Sequence, residues 1–110
     1  GRFVPHGIAC ALTAHAAFGV THPALPARHR EATRLLNGSE PDVADPNPLG
    51  AAVRSLMERI GVPTRLAAVG YGADDVPALV AGAEKQHRLL SCAPLPVDAN
   101  LLARVFRESL

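Results

Sequence analysis

The sequence predicts an all-α domain, a bundle of about five helices, and three observations lead there. Hydrophobic residues make up 48% of the chain but aromatic ones only 4%. A core of Ala, Leu and Val suits closely packed helices better than a sheet sandwich. Apolar residues recur at helical spacing, most clearly Leu49, Val53, Leu56, Met57 and Ile60 at i, i+4, i+7, i+8 and i+11. Proline clusters mark where one periodic stretch gives way to the next. With 110 residues, the chain makes a single domain spanning 1–110. It can bury roughly 60–70% of the surface its unfolded form exposes.

The first helix runs from His6 to about Val20. Pro5 fixes the backbone ahead of it, and Gly7 lets chain or ligand come close. The stretch carries no charge, so this helix is apolar nearly all round and central. Thr21-His22-Pro23-Ala24-Leu25-Pro26 breaks it, and Pro26 opens a second helix running to Leu36. Asn37-Gly38 closes that helix in a left-handed turn. Arg28, His29 and Arg30 read as a solvated face, with a phosphate-binding cluster as the alternative. Ser39 to Pro48, rich in proline and acids, is a surface loop.

The Leu49–Ile60 stripe then forms a third helix, with Arg54, Glu58 and Arg59 opposite and Gly61 as its stop. Val62–Leu66 is an extended connector and Gly70-Tyr71-Gly72 a turn. Asp74 and Asp75 sit at a helix start, where capping is the reading preferred over acid–base chemistry. Val76, Leu79, Val80 and Ala83 form the buried side of that fourth helix. Ser91–Pro96 is a loop, after which Asp98 caps a last helix with Leu101, Leu102, Val105 and Phe106 on one face. Val4, Val62 and Leu66 are too isolated to build a sheet.

A net charge of +1 offers no basic patch for nucleic acid and no acidic tail. Cys10 and Cys92 read as buried free thiols, with a disulfide as the alternative, and fit a cytoplasmic origin. No apolar run approaches about 18 residues, so nothing is expected to span a membrane. Nor is there a basic region followed by an apolar one that would read as a signal peptide. The chain opens Gly1-Arg2-Phe3-Val4 and its one methionine is Met57, which suggests an excised or processed piece.

Catalytic patterns are scarce. Gly70-Tyr71-Gly72 lacks the third glycine and the preceding buried strand of a dinucleotide fingerprint. Ser39, Ser55, Ser91 and Ser109 sit in no nucleophile context. His6 and His15 point to roughly opposite sides of one helix, so His15 reads as a polar contact or surface residue. His22, His29 and His87 are scattered. A single imidazole makes no metal site, since catalytic metals take about three protein ligands.

The order of features nonetheless resembles a known family. Pro5-His6-Gly7 heads a small, apolar helix; a proline-rich break and a helix ending Asn37-Gly38 follow. Next come the long stripe ending Gly61-Val62-Pro63, then Leu66, Val69-Gly70, Asp75-Val76-Pro77-Ala78-Leu79 and a terminal proline-led helix capped by Asp98. Together these resemble, over essentially the whole chain, the C-terminal part of the iron-dependent (group III) alcohol dehydrogenases. That family includes lactaldehyde and maleylacetate reductases and has the dehydroquinate synthase-like fold.

The resemblance implies a two-domain enzyme, in which an N-terminal dinucleotide-binding domain is the partner of this helical one. Iron(II), or sometimes zinc, would lie between them, held by one aspartate and three histidines. His6 matches the histidine of the Pro-His-Gly motif; the other three ligands and the glycine-rich NAD(P) stretch match nothing in this chain. Neither metal nor NAD(P) is expected to bind tightly to this chain alone. In the parent enzyme the metal acts as a Lewis acid on a small alcohol or aldehyde.

Two positions depart from the family's pattern: His15 where proline is frequent, and Ala93-Pro94-Leu95 where Asn-Pro-Arg is frequent. The Gly7–Thr13 wording is similar to that of phosphonoacetaldehyde reductases, and ten arginines against one lysine suggest a GC-rich bacterial gene. The rival reading is a free-standing helical binding or assembly domain without catalysis. Either reading allows a homo-oligomer, because a domain made to pack on a partner leaves an apolar face near His6.

Overall fold

The computed structural model describes residues 3–110. Five helices carry the fold: α1 (His6–Thr21), α2 (Pro26–Asn37), α3 (Pro48–Ile60), α4 (Val76–Glu84) and α6 (Ala99–Glu108). A single further turn, α5 (His87–Leu90), lies between α4 and the last loop. No strand occurs among the described residues, and the all-α expectation holds.

Local chemistry sets the ends of these helices. Pro26 and Pro48 occupy the first turns of α2 and α3, where a missing N–H costs nothing. Both helices close on a glycine, Gly38 and Gly61, each at φ 76°, a conformation that strains residues with a Cβ. The Asp98 carboxylate accepts from the Leu101 amide at 2.8 Å, and that of Asp75 from the Gly72 amide at 2.8 Å. Capping is thus what these acids do.

α1 crosses α3 and α6; α3 also carries α2, and α6 carries α4. The Cα atoms span 41 × 33 × 21 Å. Helices are about 10 Å across, so the shortest dimension accommodates two layers and the core is thin. Leu12, Met57 and Leu66 form its centre, with Val4, Ile8, Val53, Leu79 and Phe106 half-buried around them.

Polar contacts reinforce this small core. Asn47 pins α1 to α3: its Oδ1 accepts from the Gly50 amide at 3.1 Å, and its Nδ2 donates to the His15 carbonyl at 2.9 Å. Gly19 leaves room for that amide, since a Cβ there would stand 3.2 Å from Nδ2. At the far end, the Ser109 hydroxyl donates to the Val105 carbonyl at 2.7 Å. The Ser109 carbonyl accepts from the Leu66 amide at 2.8 Å, tying the end of α6 to the connector after α3.

The inward faces differ from the sequence expectation at several residues. His29 is buried rather than solvated. It stacks edge-on to Phe18 and His22, with ring centroids 5.7 and 5.5 Å away, and its Nε2 lies 3.2 Å from the Thr21 hydroxyl. α2 therefore turns His29 and Thr33 inward while Leu35 and Leu36 stay exposed. Because α3 packs on both α1 and α2, its covered arc is wide enough to half-bury Arg54, whose Nε has no hydrogen-bond partner among the described residues. Ile60 is 64% exposed, because the last turn of α3 borders an open groove beside Pro5 and Gly7. Cys10 and Cys92 are both free and exposed, correcting the reading of buried thiols. α1 is central but buries fully only Leu12 and Ala16, so much of its apolar surface remains open.

Asn47→Ala removes a cap and an interhelical bond together. It should destabilise the fold by about 1–3 kcal/mol, read as a lower urea midpoint with an unchanged m-value. A change within error would mean that α1 and α3 are held without this pin.

Burial, then His22, lowers the pKa of His29. Burial, then Arg54 and Arg65, lowers that of His15, opposed by Glu108. With the folded values lowered, the unfolded chain binds protons more readily. Stability present above about pH 6.5 is therefore lost as pH falls from there through the folded values. Melting temperatures should drop between pH 7 and 5, with a shallower drop in His29→Gln; an equal slope in that variant would assign the acid sensitivity elsewhere.

Candidate functional site

His6 is the first residue of α1. Pro5 stands before it in an extended conformation, φ −54° and ψ 142°, and accepts the first helical hydrogen bond from the Ala9 amide at 2.9 Å. The imidazole is exposed. Its Nε2 lies 3.6 Å from the Sγ of Cys10, one turn further along α1.

His6 and Cys10 stand at a cleft of about 490 Å³. Leu12, Leu66, Leu79 and Phe106 supply its apolar wall, and Thr13, Tyr71 and Gln86 its polar groups. Among the described residues its lining includes no arginine, lysine or carboxylate. A second, apolar groove of about 420 Å³ flanks the same helix start, between Pro5, Gly7 and Ile8 on one side and Leu56 and Ile60 on the other.

The remaining histidines lie apart from this site. His15 is half-buried near Arg54 and Arg65, His22 and His29 stack on each other, and His87 lines a separate cleft with Glu84 and Asp98. No group of three or more His, Cys, Asp or Glu that could hold a metal is formed among the described residues. His6 thus fits one place in a metal's coordination: an accessible ring nitrogen at the cleft, with no carboxylate or cation among the described lining residues to compete. A complete site needs donors beyond those described. Sequence reasoning missed the Cys10 thiol beside it, although the spacing His6-x-x-x-Cys10 already put both on one helix face.

Fold and site define a class: a helical domain that presents one exposed imidazole between apolar clefts. Residues 3–110 match the description "Fe-containing alcohol dehydrogenase family, C-terminal", and the chain belongs to that family. Similar proteins include the mitochondrial hydroxyacid-oxoacid transhydrogenase of Rattus norvegicus, 34% identical over 110 residues, covering 97% of this chain and 24% of the relative. The Homo sapiens protein of the same name is 35% identical over 111 residues, with the same coverage of 97% and 24%. A probable hydroxyacid-oxoacid transhydrogenase of Dictyostelium discoideum is 32% identical over 114 residues, covering 99% of this chain and 20% of the relative. The chain therefore spans about a quarter of the length of the curated relatives it matches. No solved structure matches it significantly. No helix among the described residues is long and apolar enough to cross a membrane.

Gly7 can be tested separately from its neighbour. A Cβ at this position would meet nothing within 4 Å, so the close approach expected there is not made by the chain itself. Gly7→Ala should leave the chain as stable or raise its stability by up to about 1 kcal/mol in thermal or urea unfolding. A clear loss would place an unseen constraint at the start of α1.

Proposed function

We propose that this domain contributes one metal ligand, His6, and an apolar substrate wall to an NAD(P)-dependent oxidoreductase that interconverts alcohol and carbonyl groups. The observation that carries this reading is the exposed His6 ring at the mouth of an apolar cleft, in a chain of the iron-containing alcohol dehydrogenase family. The partner is an N-terminal dinucleotide-binding domain of the same enzyme. The apolar groove on the other flank of α1 is surface that such a partner would cover.

A divalent metal, iron(II) or zinc, supplies Lewis-acid polarisation of the substrate oxygen when bound. The chain's own residues do the rest of this domain's work. His6 offers a ring-nitrogen lone pair, and α1, anchored by Leu12 and Asn47, holds that ring in place. The wall of Leu66, Leu79 and Phe106 receives the carbon skeleton and keeps water from the reacting carbon. A nicotinamide held by the partner domain would supply the hydride acceptor, and orientation of the substrate against this wall would set which face of its carbon is presented.

The relatives' names favour a hydroxyacid and an oxoacid as the substrate pair over a phosphonoacetaldehyde-type substrate. Among the described residues the cleft lining has no cation to meet a carboxylate, so on this reading its charge is met by groups beyond them.

In the enzyme carrying both domains, His6→Ala should remove most of the bound metal and lower turnover by at least about 100-fold. Metal content and kcat measured together check this. Retention of both would remove His6 from the site.

A further inference from the structure

We propose that Phe106 sets the length of carbon chain this domain accepts, as the wall shared by the His6 cleft and a second, apolar pocket behind it. On the oxidoreductase reading given above, on which this rests, the cleft then selects an unbranched apolar tail of limited length.

Two cavities meet at Phe106 and Thr13. The cleft of about 490 Å³ that contains His6 has both residues on its lining. So does a pocket of about 250 Å³ between α1, α6 and the loop after α5. Ala17, Val20, Leu102 and Val105 line this second pocket and do not border the cleft. Thr13 and Thr21 carry the polar side chains on its described lining.

The order of the two cavities follows from the sequence of α1. His6, Cys10, Thr13, Ala17 and Val20 are spaced by four, three, four and three residues, so they share one helix face. His6, Cys10 and Thr13 line the cleft, while Thr13, Ala17 and Val20 line the pocket. Thr13 lies about two turns, roughly 10 Å along the axis, beyond His6. α6 packs against α1 and brings Phe106 to the same boundary. Phe106 is half-buried against the core of Leu12, Met57 and Leu66, so its ring is a seated wall.

A substrate with its oxygen at His6 extends its carbon tail along this face. Tails that end before Phe106 fit the cleft; longer ones meet the ring. The pocket behind has the size and chemistry to take what the ring excludes, since an apolar cavity of about 150 Å³ already holds benzene. Fitting or rejecting a methylene in an apolar site changes specificity by about tenfold or more. The competing role for Phe106 is core packing alone, under which truncation affects substrates of every length alike.

In the enzyme carrying both domains, kcat/KM is measured for straight-chain primary alcohols from propanol to decanol and for α-hydroxy acids of the same lengths. Phe106→Ala should raise the ratio of longest to shortest substrate by about tenfold or more. Phe106→Leu, which removes less of the core, should shift the ratio the same way by less. Ala17→Leu fills the pocket behind, so adding it to either variant should return the ratio toward the wild-type value. Independently of turnover, the chain should bind benzene in NMR titrations, and Ala17→Leu should abolish that binding. An unchanged ratio in both Phe106 variants overturns the proposal, as does a raised ratio that Ala17→Leu leaves in place. Benzene binding that is absent, or indifferent to Ala17→Leu, overturns it too. If the ratio stays unchanged while His6→Ala still removes metal and turnover, the length limit falls and the oxidoreductase reading stands. If the wild type turns over no alcohol or hydroxy acid of any length, both fall.

Discussion

The burial of Leu12 fixes the rotation of α1, and most of what matters in this domain follows from that rotation. Leu12 is 2% exposed and meets Met57 and Leu66 in the small core. α1 is apolar on almost every side, so its own sequence gives it no preferred inward face; the leucine and its neighbour Ala16 select one. His6, Cys10 and Thr13 then fall on a stripe about 120° round from Leu12. That stripe opens on the cleft instead of entering the core.

A thin, aliphatic core explains why polar pins are prominent. Few residues are deeply buried, and the large aromatic surfaces that dominate many cores are almost absent. Register between α1 and α3 is then set by directional contacts, with Asn47 reaching the His15 carbonyl and two glycines making room for it. The buried His29 does the same between α1 and α2, its ring meeting the hydroxyl of the half-buried Thr21. Within α2, Thr33 donates to the His29 carbonyl at 2.7 Å. Directional contacts of this kind specify one arrangement where Ala and Val alone would allow several.

What the sequence made legible follows the same division. The glycine stops at Gly38 and Gly61, the proline start at Pro26 and the Asp98 cap depend on a few neighbouring residues and were readable, whereas Pro48, read as the end of a surface loop, opens α3. The inward faces of α2 and α3 depend on partners distant in sequence. That is why His29 reads as solvent-facing beside Arg28 and Arg30 yet packs against Phe18, and why Arg54 and Ile60 exchange their expected environments. Pro5-His6-Gly7 was legible as a candidate because a proline and a glycine around a histidine change local backbone freedom. The closeness of Cys10 was equally local, one helical turn, but a lone thiol in an apolar run resembles core packing until its exposure is known.

An incomplete site on a thin domain has an energetic consequence for the proposed enzyme. On that reading, metal donors come from two domains, so the ion binds the docked arrangement more tightly than either half. By linkage, each stabilises the other: ion occupancy favours docking, and docking raises affinity for the ion. The apolar groove beside Pro5 and Gly7 and the open surface of α1 would supply the non-specific part of that docking. The His6 ring would supply its register, because a coordination bond tolerates far less displacement than an apolar contact. A thin core then becomes compatible with a precisely held centre on the proposed reading, since the partner and the ion together would complete what that core leaves open.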